Sequence, residues 1–483
     1  MSNTPTNTWQ CSTPGCTREA PTCRAGSTPA AGSPAPRRLR HMGTGLPVCI
    51  EFAQSILDSA ISLEASKRSQ DGRASSAAKL LDSPEAIAQA INASVDGQSL
   101  AVQRFSQAMY DSMIARELRK GNVSVDKSNV FMPGPTGCGK TYIVQTAAKL
   151  LDQPLLVYRG TAGLTKAGYV GKDVEDIASD YYVKVQEWMN AKNANSGNDP
   201  EAVAKWIKEN GGFIAIDEID KIAANKGAGL DVGGESVQDR LLTFIEGEEV
   251  GIRVQDPRNP AGGRKVVIDT TNIMFVMLGA FSPGGDADGD SMAKRALVDI
   301  VEARLGNGGA ADRRGGQRVD AKKGDLFLYA EEDDFVKYGF KPEFVGRIFG
   351  YYAPLRQLRE DNLLNILTKI KGNAVDKQKA YFSKVGVALG GQGYEIIFEQ
   401  DALKEIARKA ASKGTGARAL VNVLQETLKE VKFKAPGLAS EYNQITITAD
   451  LVKKIGKIDG ENGVPFATVF RKKLAAAFTP IND

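Results

Sequence analysis

Phe131-Met132-Pro133-Gly134-Pro135-Thr136-Gly137-Cys138-Gly139-Lys140-Thr141 is the stretch that decides how this chain folds. From Gly134 onward it fits the pattern G-x-x-x-x-G-K-[ST]. In that pattern glycines let backbone N–H groups close around a polyphosphate, the lysine reaches the β- and γ-phosphates, and the hydroxyl binds Mg²⁺. Gly134, Gly139, Lys140 and Thr141 meet the fixed positions. Such a loop must join a strand to a helix. Ser128 to Met132 supplies a short strand, and Tyr142 to Leu151 reads as a helix whose N-terminus adds its dipole to the anion site.

The second signal lies downstream, at Phe213-Ile214-Ala215-Ile216-Asp217-Glu218. Four apolar residues in a row read as a buried parallel strand. Two carboxylates at its carboxyl end fall where open α/β sheets place their chemistry. Asp217 is expected in the Mg²⁺ shell, and Glu218 is expected to polarise an attacking water. An acidic pair alone is usually just solvated; after a complete phosphate loop it is the second half of an ATPase site.

The 483 residues leave room for two or three domains, and 42% apolar with 25% charged content is that of a globular protein. Sixty-two basic against 58 acidic residues give a net charge of +4, too balanced to argue for a nucleic-acid or acidic-membrane partner. No stretch has the length of a membrane span, and the first residues lack the order of a secretory signal, so a cytoplasmic protein is expected. Five cysteines in a chain this long do not read as a disulfide framework.

Residues 1 to about 46 differ in composition, holding Cys11, Cys16, Cys23, the only histidine, His41, and a Pro/Ala/Gly/Ser tract. Cys11 and Cys16 with Cys49, and His41 or Cys23 as a fourth ligand, make a tetrahedral Zn²⁺ site one reading. The other is a partly basic, disordered leader with free thiols. The expected division is a cysteine-containing region over 1–68, a linker over 69–83, a large α/β domain over 84–357 and a smaller, mostly helical domain over 358–483. Helices are expected over Ser99 to Arg119, Ser236 to Glu246, Asp361 to Lys371, Ala374 to Lys384, Asp401 to Ser412 and Ala417 to Phe433. Strands are expected over Leu155 to Tyr158, Asn272 to Leu278 and Gln444 to Thr448. Asn190 to Pro200 reads as a flexible tract, Gln255 to Lys265 as a loop, and Ser282 to Asp325 as a long irregular region.

Further landmarks follow the phosphate loop in one order: Gly168-Tyr169-Val170-Gly171, the acidic strand, Lys341-Pro342-Glu343-Phe344-Val345-Gly346-Arg347, and Gly414-Thr415-Gly416-Ala417-Arg418. With these, the chain from Val95 to Lys434 resembles the AAA+ ATPases of the ClpX type, ring-shaped protein unfoldases that feed the ClpP peptidase. The resemblance implies a P-loop AAA+ domain with a parallel sheet, ATP and Mg²⁺ as cofactors, a homohexamer with nucleotide at its subunit interfaces, and protein substrates. It implies adenine contact by the segment holding Val95, Gly97 and Gln98. It makes Arg347 the arginine finger for a neighbour's site and Arg418 the second sensor. Tyr169 becomes the aromatic of the pore loop, and Asp231 to Gln238 resembles the second pore loop.

Three departures accompany the resemblance. At the pore-entrance loop Gly262-Gly263-Arg264-Lys265 is followed by Val266, not histidine. Where the tripeptide Ile-Gly-Phe docks ClpX onto ClpP, this chain reads Arg304-Leu305-Gly306-Asn307-Gly308-Gly309, which argues against that partner. Phe52 stands where the fourth cysteine of the family's zinc domain belongs. These departures motivate an alternative from another class: an ATP-gated assembly or scaffold protein that remodels one dedicated partner without threading it.

Overall fold

The computed structural model describes residues 83–159, 174–193, 196–223, 232–256, 259–282, 296–306, 323–385, 387, 393–460 and 462–472. In chain order the first part comprises α1 (Pro84–Asn92), α2 (Ser99–Lys120), β1 (Val130–Pro133), α3 (Lys140–Leu150), β2 (Leu155–Tyr158), α4 (Val174–Lys192), α5 (Pro200–Asn210) and β3 (Phe213–Ile216). There follow α6 (Val232–Glu246), β4 (Glu249–Asp256), β5 (Asn259–Asp269), β6 (Met274–Gly279), α7 (Leu297–Gly306), α8 (Glu332–Tyr338), α9 (Pro342–Ile348) and β7 (Tyr351–Tyr352). Five strands pair in parallel in the order β2-β3-β6-β1-β7.

Successive side chains of a strand point to opposite faces, and here the alternation feeds two separate cores. Phe131, Ile214, Ile216, Phe275 and Met277 pack on one face with Tyr181, Leu241 and Phe244. Val130, Met132, Ala215, Val276 and Leu278 pack on the other with Phe105, Ile143 and Val144. Covering both faces is what an all-parallel sheet requires, and it explains why its strands read as unbroken apolar runs. All four side chains of β1 and of β3 are buried.

The second part is mostly helical: α10 (Glu360–Thr368), α11 (Ala374–Phe382), β8 (Glu395–Phe398), α12 (Gln400–Ser412), α13 (Gly416–Leu438), β9 (Gln444–Ile447), α14 (Ala449–Lys453), α15 (Phe466–Val469) and β10 (Phe470–Arg471). Its core is a third cluster, built on Leu363, Phe382, Ile406, Leu424 and Leu428. β8 pairs in parallel with β9, and β10 pairs antiparallel to it.

The expected α/β architecture with a mostly helical second part is therefore present, while four local readings are corrected. The tract Asn190 to Pro200 is partly helical, because α4 continues to Lys192 and α5 starts at Pro200. The Asp199 carboxylate accepts from Glu201 N at 3.2 Å, and Pro200 sits just inside the start, so a complete N-terminal signal was present. The loop expected over Gln255 to Lys265 belongs to the antiparallel hairpin β4–β5. Val250, Ile252, Val254, Val266 and Ile268 face inward, whereas Gly251, Arg253, Lys265 and Val267 face out. That period of two outweighs the Pro and Gly near the turn. Inside the region read as irregular lies α7, fixed by the bidentate contact of Arg304 with the buried Asp334 of α8, at 3.0 Å from Nε and 2.9 Å from Nη2. Finally, α6 starts at Val232, four residues earlier than expected.

Candidate active site

Each half of the phosphate loop is built by local geometry. Gly134 N donates to Gly279 O at 3.1 Å, so β1 stays in register with β6 as the chain leaves the sheet. Gly137 (φ +75) and Gly139 (φ +102) then occupy left-handed backbone that a Cβ disfavours, and a Cβ on Gly137 would overlap Thr415 O. Lys140 Nζ donates to Gly134 O at 2.6 Å and to Pro135 O at 3.0 Å, curling back over the loop. Thr136 is exposed at the tip. The Cys138 thiol is buried, and burial pushes its pKa up, so it is a packing group in this loop rather than a thiolate.

The two halves of the expected site meet. Thr141 Oγ1, in the first turn of α3, lies 3.1 Å from Asp217 Oδ2 at the end of β3. Glu218, the next residue, holds φ 59 and ψ 37, left-handed backbone that is rare for a side chain of this size. Its N–H donates to Asp217 Oδ1 at 3.1 Å, which fixes the turn. Behind it the buried Asp220 accepts from Ala280 N at 3.2 Å, tying this turn to the end of β6. Arg159, which the sequence reading missed, places Nε 3.7 Å from Asp217 Oδ2. It directly follows β2, and β2 neighbours β3, so only the strand order reveals it.

The second part of the chain closes over the loop. Ala417 N donates to Gly137 O at 3.0 Å, and a Cβ on Gly416 would lie 2.5 Å from that oxygen. Arg418, itself exposed, is thereby held in the first turn of α13, whose start adjoins the loop. Neither α3 nor α13 has an acidic residue in its first turn. Two helix N-termini without acidic residues of their own thus adjoin the phosphate loop, one carrying Lys140 and the other Arg418, an arrangement suited to an anion.

Of the expected adenine segment, Val95 is buried and Gly97 has φ +78 with Asn362 packed against it. The buried Gln98 amide donates to Cys138 O at 3.1 Å and Arg356 O at 2.8 Å, and accepts from Arg356 N at 2.9 Å. These contacts make it a staple between the phosphate loop and the chain that leads into the second part. Asp96 accepts from Asn362 Nδ2 at 2.9 Å.

Arg347 is paired with Glu246, at the last position of α6, at 2.7 Å from Nε. Arg264 of the hairpin pairs with Glu201 at 2.7 Å. Gly168, Tyr169, Val170 and Gly171 lie outside the described residues, as do Cys11, Cys16, Cys23, His41 and Cys49. Among the described residues no group of His, Cys, Asp or Glu side chains converges as a metal cluster, and no helix is long and apolar enough to cross a membrane.

The donor set fits a magnesium-bound triphosphate. A hydroxyl and a carboxylate meeting from neighbouring elements are hard oxygen donors of the kind Mg²⁺ takes. A lysine, two glycines with positive φ and two helix N-termini suit the phosphates.

Comparison with known proteins agrees with this geometry. The family model described as AAA domain (Cdc48 subfamily) matches residues 125–350, and the C-terminal, D2-small domain, of ClpB protein matches residues 358–436. A protein of Methylococcus capsulatus named ATP-dependent Clp protease ATP-binding subunit ClpX 3 is 31% identical, the alignment covering 85% of this chain and 90% of that protein. A phosphate loop facing Asp217 and closed by the first turn of α13, matched along most of the chain by such a relative, places this protein in the Clp family of AAA+ ATPases, of the ClpX type.

Proposed function

We propose that this ATPase is a protein unfoldase or remodeller, acting in the cytoplasm as a homohexameric ring with nucleotide at its subunit interfaces. The observation that carries the reading is the meeting of Thr141 and Asp217 beneath a loop that α13 closes. Bound Mg²⁺ supplies neutralisation of charge on the phosphate oxygens. Thr141 and Asp217 would hold it. Lys140 releases its two loop carbonyls to reach the phosphates, and Glu218 orients and deprotonates the attacking water. Arg418 senses the triphosphate from α13. Arg347, on α9 and paired with Glu246 of α6, serves the site of the adjoining protomer; such a finger is worth roughly 10³ to 10⁵ in rate. Tyr169, flanked by glycines, grips the polypeptide as it passes through the pore. The division into regions 1–68, 69–83, 84–357 and 358–483 belongs to the same reading, with Zn²⁺ at Cys11, Cys16, Cys49 and His41 as an addition that elemental analysis decides.

The test uses a stable fluorescent protein carrying one of several unstructured tails, mixed with this protein and ATP in the absence of peptidase. Glu218→Gln is expected to bind ATP and lose at least 100-fold in turnover, and Tyr169→Ala to hydrolyse ATP without unfolding the target. Wild-type turnover in Glu218→Gln overturns the site assignment. Robust hydrolysis with no unfolding by the wild-type protein, on any tail, favours instead the dedicated remodeller. The absence of Ile-Gly-Phe at 304–309 points the same way and away from a ClpP-type partner.

A further inference from the structure

Gln238 is completely buried in α6, yet it is polar, and all its partners lie on other elements. Its Nε2 donates to Ile222 O at 3.0 Å and to Gly339 O at 3.4 Å, and its Oε1 accepts from Lys341 N at 2.8 Å. Ile222 ends the short turn Ile219–Ile222 that begins immediately after Glu218. Gly339 caps α8, and Lys341 is the N-cap of α9, the helix that carries Arg347. One amide therefore binds both the turn behind Glu218 and the start of the finger's helix.

Two further contacts act along the same pair of helices. Lys341 Nζ lies 2.6 Å from Asp239 Oδ1, and Arg347 Nε lies 2.7 Å from Glu246 Oε1. Gln238 and Glu246 are eight residues apart, about 12 Å along α6 at 1.5 Å per residue. Lys341 and Arg347 are six apart, about 9 Å along α9 by the same rise. α9 is thus clamped to α6 at both of its ends. The clamps differ in strength: exposed ion pairs hold weakly, whereas a buried amide with three backbone partners leaves all three unsatisfied if removed.

We propose that Gln238 is the positioning residue of Arg347 and that Glu246 orients its guanidinium, so that α6 aligns the finger one protomer lends to the next. The inference rests on the reading of Arg347 as acting in the adjoining site. Because Gln238 also holds Ile222 O, the alignment of the lent finger is linked to the turn that carries the protomer's own Glu218.

The test is complementation in mixed rings. Gln238→Met keeps the side-chain length and removes every hydrogen bond; Glu246→Lys is a surface change that repels Arg347 and keeps the fold testable if Gln238→Met unfolds. Each is expected to lower kcat roughly 10- to 100-fold, the scale of a small misplacement of a catalytic group, and to leave KM for ATP within about twofold, since binding belongs to the phosphate loop. Each is then co-expressed with Glu218→Gln, which cannot hydrolyse but still lends an intact finger. ATPase rising at least twofold above either parent, in parallel with a rise in an Arg347→Ala with Glu218→Gln mixture, supports the proposal. Recovery for Arg347→Ala without recovery for Gln238→Met and Glu246→Lys overturns it, because the damage then lies in the protomer's own site. Absence of recovery for Arg347→Ala overturns the finger reading itself, and the inference with it. Wild-type kcat in Glu246→Lys removes the role of that residue.

Discussion

Glu218 keeps its side chain at the carboxyl end of β3 by adopting a left-handed backbone, at a cost of about 1 kcal/mol or more for a residue with a Cβ. Stability and turnover should therefore part company there. Glu218→Gly is expected to unfold in urea at a midpoint no lower than the wild type's while hydrolysis falls at least 100-fold; a clear drop in the midpoint would show that the glutamate's conformation is unstrained. Lys140, Thr141 and Asp217 could be read from the sequence because each is fixed by spacing within a few residues of a strand end. Arg159 could not, since its nearness to Asp217 is a property of which strands are neighbours. Gln98, expected in the adenine segment, has its amide bonded to Cys138 and Arg356 backbone, contacts that no spacing in the sequence displays.

At the level of elements, the decisive contact is between backbones. The start of α13 approaches the phosphate loop so closely that neither Gly137 nor Gly416 has space for a Cβ, and Gly416 also has φ +55. Gly416→Ala is expected to leave the sheet folded yet weaken ATP binding at least tenfold, read by titration with a fluorescent nucleotide; unchanged affinity would mean that the closure does not serve the site. Elements with end signals or long apolar periodicity, such as α2, α12 and β3, were legible within a residue or two. The hairpin β4–β5 was not, because the Pro and Gly that mark its turn also mark an irregular loop. Only the pairing of Val250 with Ile268 and of Ile252 with Val266 reveals the ladder. Helix α5 starts at the end of a polar tract, so Asp199 and Pro200 announce it while the Asn, Ser and Gly residues upstream carry the composition of a loop.

Across the whole described chain the apolar cores are three: one on each face of the sheet and one in the helical part. The helical part meets the rest through polar contacts, among them Lys371 with Ala93, Asn362 with Asp96, and Ala417 with Gly137. Separate cores joined by polar contacts should melt separately. Calorimetry without nucleotide is expected to show two transitions that approach each other when ATP is added to the Glu218→Gln protein, since a ligand held by both parts stabilises their union. A single transition under both conditions would show that the parts fold as one cooperative unit. That the sequence pointed to two parts but not to their manner of joining is physical: apolar periodicity reports cores, whereas a few hydrogen bonds between distant residues leave no periodic trace.

The bond from Ala417 N to Gly137 O also makes the molecule its own gauge. An amide proton exchanges with solvent only while its bond is open, so deuterium uptake at Ala417 counts the fraction of time the two parts stand apart. Followed through a cycle of binding, hydrolysis and release, that one proton would time the opening of the site without any label attached to the protein.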